Sequence, residues 1–191
     1  MSARPHGSWD LGPAAGTLRL RTDVEGRAAR FGHRLLMEAR EWSGRAVSGP
    51  DGLSVSVRAA VPSLVVVSGE GGAKPLSDKD KDTIVATAVE LLAGGDITFA
   101  TVGVEDRGAT LELTGLLTVA GVERPVLWRV ATAAAGALGA VGGTRLTGVL
   151  PVVQSAHGVT PYSTMLGALR VKDAVQVEVD VLLATPGTYA G

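Results

Sequence analysis

The sequence contains no cysteine, which excludes disulfides and thiolate metal sites and leaves the redox compartment open. Aromatic residues are scarce, at 4% of the chain, so the interior must be built mainly from Val, Leu and Ala. Side chains that small fill a barrel incompletely, leaving room for a cavity. Charge of one sign is also lacking. The formal net charge of −1 gives no argument for nucleic-acid or anionic-membrane binding. No apolar run approaches the roughly 20 residues of a membrane span. Nor does an apolar segment follow Arg4 and His6 near the amino terminus; a secretory signal needs one, so the expectation is a cytoplasmic chain.

Motifs for catalysis and metal binding are equally sparse. The three histidines, His6, His33 and His157, show no metal-ligand spacing and no HExxH pattern. No Gly-x-Ser-x-Gly nucleophile motif occurs, and no acid pair stands out from the exposed carboxylates. The segment Gly69-Glu-Gly-Gly-Ala-Lys-Pro75 fails as a phosphate loop, because Pro75 stands where Ser or Thr must follow the lysine. No catalytic residue, metal site or cofactor is assigned.

What the chain has is alternation. Apolar residues make up 46% of it and 26 glycines suit many turns and close backbone approaches. Its 191 residues suit one domain, read as 16–185 between a lead-in at 1–15, with Trp9 tucked against the body, and a tail at 186–191. The clearest stretch is Leu111 to Val130. Leu111, Leu113, Leu117 and Val119 share one face, and Val126, Trp128 and Val130 repeat the pattern after a bend at Gly121. This predicts an antiparallel hairpin, with Pro125 at the first residue of its second arm. Further strands are expected over 16–23, 34–42, 53–58, 64–68, 97–105, 145–153 and 168–183, the last around a turn at Lys172-Asp173. Residues 25–33 read as a short helical turn or loop, and Ser48 to Gly52 as a turn. One helix is predicted at about 77–92. Ser77 caps it, Asp78 and Asp80 oppose its dipole, Ile84, Ala88, Leu91 and Leu92 form its apolar stripe, and Gly94-Gly95 ends it. The expected fold is all-β: an antiparallel barrel of about eight strands with one inserted helix, closed rather than open-edged.

With these elements in place the chain resembles the YceI-like family of bacterial polyisoprenoid-binding proteins. The resemblance rests on Trp9-Asp-Leu-Gly-Pro-Ala-Ala-Gly-Thr-Leu18, Gly32-His-Arg-Leu35, Pro62-Ser-Leu64, Asp96-Ile-Thr-Phe-Ala-Thr101, and above all Leu113-Thr-Gly-Leu-Leu-Thr-Val-Ala-Gly-Val-Glu-Arg-Pro-Val126. It extends to Gly158-Val159 and Val175-Gln-Val-Glu-Val179. It implies a lipocalin-like barrel whose apolar tunnel accepts an isoprenoid chain, such as a quinone tail. Where the family has Arg-x-x-Phe-Gly, this chain has Gln154-Ser-Ala-His157-Gly158, which predicts a more polar tunnel mouth there.

The functional expectation is a carrier or sequestering protein for an apolar chain-like ligand. Met37, Phe99, Leu117 and Trp128 are expected to line the interior, and Phe31, Met165 and Leu166 its mouth. His33 and His157 are either structural or polar contacts to a ligand head. The alternatives are an enzyme acting on such a molecule, with His33 or His157 as general base, and an interaction module whose barrel is filled. The expected partner is an isoprenoid-like or lipid-like small molecule, with no nucleic acid and no integral membrane segment; a homodimer is compatible with the sequence.

Overall fold

The computed structural model describes residues 7–50, 52–135 and 143–184. His6, Asp51 of the Ser48–Gly52 turn and the 186–191 tail lie outside the described residues. In chain order the strands are β1 (Gly7–Leu11), β2 (Gly16–Arg21), β3 (Val24–Glu25), β4 (His33–Ala39), β5 (Trp42–Gly49), β6 (Gly52–Ala60) and β7 (Leu64–Gly71). The helix α1 (Asp78–Leu91) follows, then β8 (Asp96–Asp106), β9 (Thr110–Val119), β10 (Val122–Ala135), β11 (Gly143–Val153), β12 (Ser163–Thr164), β13 (Leu169–Val171) and β14 (Ala174–Ala184).

The alternating stretch forms the expected hairpin. β9 pairs with β10 from Val122 opposite Val119 to Ala131 opposite Thr110. The two turn residues, Ala120 and Gly121, both have positive φ, the geometry that matches the twist of a tight hairpin. Leu111, Leu113, Leu117 and Val119 are buried on the inner face, with Trp128 and Val130 beside them. One detail differs from expectation. β10 begins at Val122, so Pro125 lies inside the strand, opposite Leu116. It is tolerated because β11 joins β10 only from Val130 onward, leaving that flank of β10 without a ladder donor to lose.

Among the described residues eleven strands form one antiparallel sheet in the order β1-β5-β6-β8-β9-β10-β11-β14-β2-β4-β7, against the eight or so expected. The sheet curls strongly into a lipocalin-like half-barrel. The ladder does not close: β1 and β7 are its two edges among the described residues. Other contacts cover these edges. α1 packs beside β7 and the Val61–Ser63 turn, and the Trp9 indole donates to the Ala184 carbonyl at 2.8 Å, tying β1 to the end of β14. β1 thus belongs to the sheet and is not a loose lead-in. β5, absent from the strands expected from the sequence, pairs with β1 on one side and forms a hairpin with β6 on the other.

A separate three-stranded sheet, β12-β13-β3, stands at one end of the half-barrel, where β2 leaves and β14 enters. The predicted helical turn in 25–33 is a single 3-10 turn at Ala29–Phe31 beside it. β13 and β14 are separated by the predicted turn at Lys172-Asp173. The Asp23 carboxylate, which accepts from Lys172 Nζ and the Val24 N–H, is held below the usual carboxylate range by those two bonds.

The helix starts as the sequence indicates. Ser77 N donates to Asp80 Oδ2 at 2.9 Å, and Asp80 N donates to Ser77 Oγ at 3.2 Å, a reciprocal capping box. The Ser77 hydroxyl, which donates to Asp80 Oδ2 at 2.7 Å, and the Ser77 N–H together hold the Asp80 carboxyl below its ordinary range. Ser77→Ala is expected to lower stability by about 1 kcal/mol, read as a reduced denaturation midpoint, while the β-sheet circular dichroism stays unchanged.

Candidate functional site

The helix stripe Ile84, Ala88, Leu91 and Leu92 is only half-buried, although it faces inward. The reason is an internal cavity of about 1340 Å³. One wall is α1; the others are the inner faces of the curled sheet. Alternation along each strand places valines and leucines on this face, while the outer face carries cross-strand ion pairs such as Arg19–Glu38, Arg129–Glu112 and Arg145–Asp180. The volume exceeds the roughly 300–1,000 Å³ of ordinary ligand pockets. Two apolar clusters border it, one around Phe99, Leu117 and Trp128, the other around Met37, Trp42 and Leu64.

Met37, Phe99, Leu117 and Trp128 all line the cavity and all are buried. They come from β4, β8, β9 and β10. Phe99 lies opposite Leu117 in the ladder, and its ring meets Trp128 edge to face at 5.6 Å. Glycines make this arrangement possible. A Cβ on Gly115 would lie 2.5 Å from the Phe99 ring, and one on Gly148 would lie 3.0 Å from Trp128 Nε1. The Gly115 Cβ would also clash with the Ala100 carbonyl, and the Gly148 Cβ would meet the Arg129 carbonyl at 2.9 Å, so both positions need glycine for close packing. Trp128 Nε1 and Thr22 Oγ1, both on lining residues, are buried without a hydrogen-bond partner among the described residues.

Polar lining groups gather toward the ends. By strand direction, one end holds Val24, Phe31, His33, Gln154, Tyr162 and Arg170, and the other holds Trp9, Ser48, Asp106, Gly108 and Thr144. Asp106 is the one carboxylate touching the cavity among the described residues, so no carboxylate pair is placed there for acid–base work. Among the described residues no group of His, Asp and Glu could hold a metal.

The remaining sequence candidates divide. Phe31 and His33 line the first end. His33 Nε2 lies 2.9 Å from the Lys74 carbonyl; a carbonyl only accepts, so Nε2 carries the proton. Its ring fits against Gly72, where a Cβ would come within 2.2 Å of it. The segment that failed as a phosphate loop therefore clasps this histidine. His157, Met165 and Leu166 do not line the cavity. His157 is buried, and its Nδ1–H donates to the Val122 carbonyl at 2.9 Å, fastening the Gln154–His157 turn to β10. At the position of expected polarity it is Gln154, and not His157, that borders the cavity. Met165 and Leu166 point outward from the neighbouring turn and are exposed. Tyr162, also in the wall, carried no sequence signal, because residues 158–167 have no apolar period; Leu169, likewise in the wall, falls within the strand expected over 168–183. Trp9 did carry one, in the Trp-Asp-Leu start of the opening strand.

Fold and cavity together define a lipocalin-like antiparallel half-barrel built around an apolar interior, with one α-helix among the described residues. No protein-family model matches the sequence, and no curated protein matches it. The structure has the fold of YceI proteins. It is similar to Burkholderia cenocepacia BcnA at 18% identity, with a TM-score of 0.60 over 87% of this chain and 96% of that one. A Campylobacter jejuni YceI protein is 13% identical, with a TM-score of 0.57 over 79% and 85%. A polyisoprenoid-binding domain from Saccharophagus degradans, described as implicated in plant cell wall breakdown, is 11% identical with a TM-score of 0.59 over 95% and 100%. These likenesses support the YceI-like resemblance at the level of fold. Among the described residues, no helix is long and apolar enough to cross a membrane.

Proposed function

We propose that the protein is a carrier or sequestering protein that holds an apolar chain-like molecule, such as an isoprenoid, a quinone tail or another lipid, inside the half-barrel. The observation carrying this is the 1340 Å³ cavity walled by valines, leucines and the Phe99–Trp128 pair. Each methylene removed from water contributes roughly 0.8 kcal/mol, so a long chain binds without a strong polar site. The naming of one structural neighbour as polyisoprenoid-binding supports the same ligand class. An interaction module with a filled barrel fits poorly with an interior of this size.

The test is displacement of a lipophilic, environment-sensitive dye by isoprenoids, with the displaced and bound molecules weighed by mass spectrometry. The carrier reading expects displacement and unchanged ligand mass. A mass change on incubation would favour an enzyme. In the carrier, His33 supports the mouth by holding the Lys74 segment. One neutral hydrogen bond contributes about 1 kcal/mol, so His33→Ala is expected to weaken dye binding less than about tenfold. Turnover by the wild type that this variant loses while still folded would contradict the carrier reading.

A further inference from the structure

We propose that the cavity end formed by the Gly26–Phe31 and Tyr162–Gly167 segments docks on the surface of an anionic lipid bilayer. The proposal rests on the carrier reading, because an apolar chain that exchanges at a bilayer surface need not pass through water.

Four large apolar side chains, Phe31, Tyr162, Met165 and Leu166, are exposed here, Leu166 completely. They form one patch through backbone ties. Ala28 N donates to the Ala168 carbonyl at 2.9 Å, Val171 N donates to the Tyr162 carbonyl at 2.9 Å, and Arg170 pairs with Glu25 across β13 and β3. Phe31 and Tyr162 also line the cavity, so the patch continues its apolar wall outward. Met165 and Leu166 both have φ of 53°, a left-handed backbone that disfavours residues with a Cβ. The turn holds two long apolar side chains outward in spite of that strain, and neither packs into the core.

Charge identifies the occupant. Asp23 is matched by Lys172, Glu25 by Arg170 and Glu70 by Arg34, while Asp173 accepts from Ser155 N and Oγ and has no ion pair among the described residues. Arg27 and Arg30 are exposed, and neither has an ion pair among the described residues. The Arg30 guanidinium lies over the Phe31 ring at 4.7 Å, placing a cation directly beside the apolar patch. The net charge of −1 for the whole chain conceals this local excess. An apolar tip flanked by unpaired arginines matches acyl chains beneath anionic headgroups.

The test is co-sedimentation with vesicles of phosphatidylcholine alone or mixed with phosphatidylglycerol, alongside dye binding in vesicle-free buffer. The wild type should bind the mixed vesicles, and salt should weaken that binding. Arg27→Gln with Arg30→Gln should lower vesicle affinity roughly thirtyfold. Met165→Asn with Leu166→Asn should lower it at least about tenfold, without unfolding, because asparagine accepts the left-handed backbone. Dye binding should be unchanged in both variants, whose altered residues lie outside the cavity wall. Wild type that fails to sediment with mixed vesicles, or variants that sediment equally well, would overturn docking; a surface that instead captures a protein would give the first result. Absent dye binding with intact vesicle binding would contradict the carrier reading and leave docking in place.

Discussion

Leu117→Arg is expected to abolish dye binding, an effect of at least about a hundredfold, because it sets an unpaired charge in a desolvated wall. Leu117 is 5% exposed, lies opposite Phe99 on one neighbouring strand and Arg124 on the other, and points into the cavity. Both flanks of β9 are paired, so the guanidinium has no side route to the outer surface. Stability should fall on the order of 3 kcal/mol or more, and retained β-sheet circular dichroism is the control for folding. Two companion variants separate binding from folding. Leu117→Met conserves volume and should leave both nearly intact. Val177→Phe extends a ring from the half-buried wall of β14 into empty space, and should weaken binding with little loss of stability. Full dye affinity in folded Leu117→Arg would show that the ligand binds elsewhere.

Trp128→Ala is the largest stability change expected from a neutral substitution. The ring is buried, meets Phe99 edge to face and lies over Gly148. Truncating a buried aromatic to alanine typically costs about 3–5 kcal/mol. The lower part of that range is expected, because one side of the ring already borders open volume and its N–H has no hydrogen bond to lose. Urea unfolding followed by far-ultraviolet circular dichroism measures the shift. A loss below about 1 kcal/mol would mean that the aromatic pair does not organise the core.

Legibility of the fold in the sequence follows the strength of the local pattern. The β9–β10 hairpin and the terminal β14 alternate over many residues, and one buried face imposes that period. The helix start is readable because Ser77 and Asp80 have a single favourable arrangement there. β5 is not readable: its inward positions include Gly44 and Ala46, too small to mark an apolar period. β1 is short and sits at a sheet edge, and β3 and β12 have two residues each, so tertiary pairing alone makes them strands, whereas β13 falls within the strand expected over 168–183. The ladder's failure to close depends on tilt and curl across eleven strands, which no local pattern encodes. Four cavity residues, Met37, Phe99, Leu117 and Trp128, were legible because an inward face in a curled sheet is also a cavity wall. The mouth was harder. Met165 and Leu166 lie in the right region but face out, and His157, alike in sequence to His33 as a histidine beside a glycine, folds inward onto Val122. Which way a loop histidine turns depends on the carbonyl it reaches, and that carbonyl comes from another strand.

The central claim is that an apolar chain occupies the half-barrel, and the most direct measurement is of what the protein carries. Protein purified without detergent would be extracted with organic solvent, and the extract analysed by mass spectrometry beside that of folded Leu117→Arg. An apolar chain-like molecule is expected in near-stoichiometric amount from the wild type and is expected to be absent from the variant. An empty wild-type extract from protein that also fails to take up added isoprenoids, or equal recovery from both proteins, would contradict it.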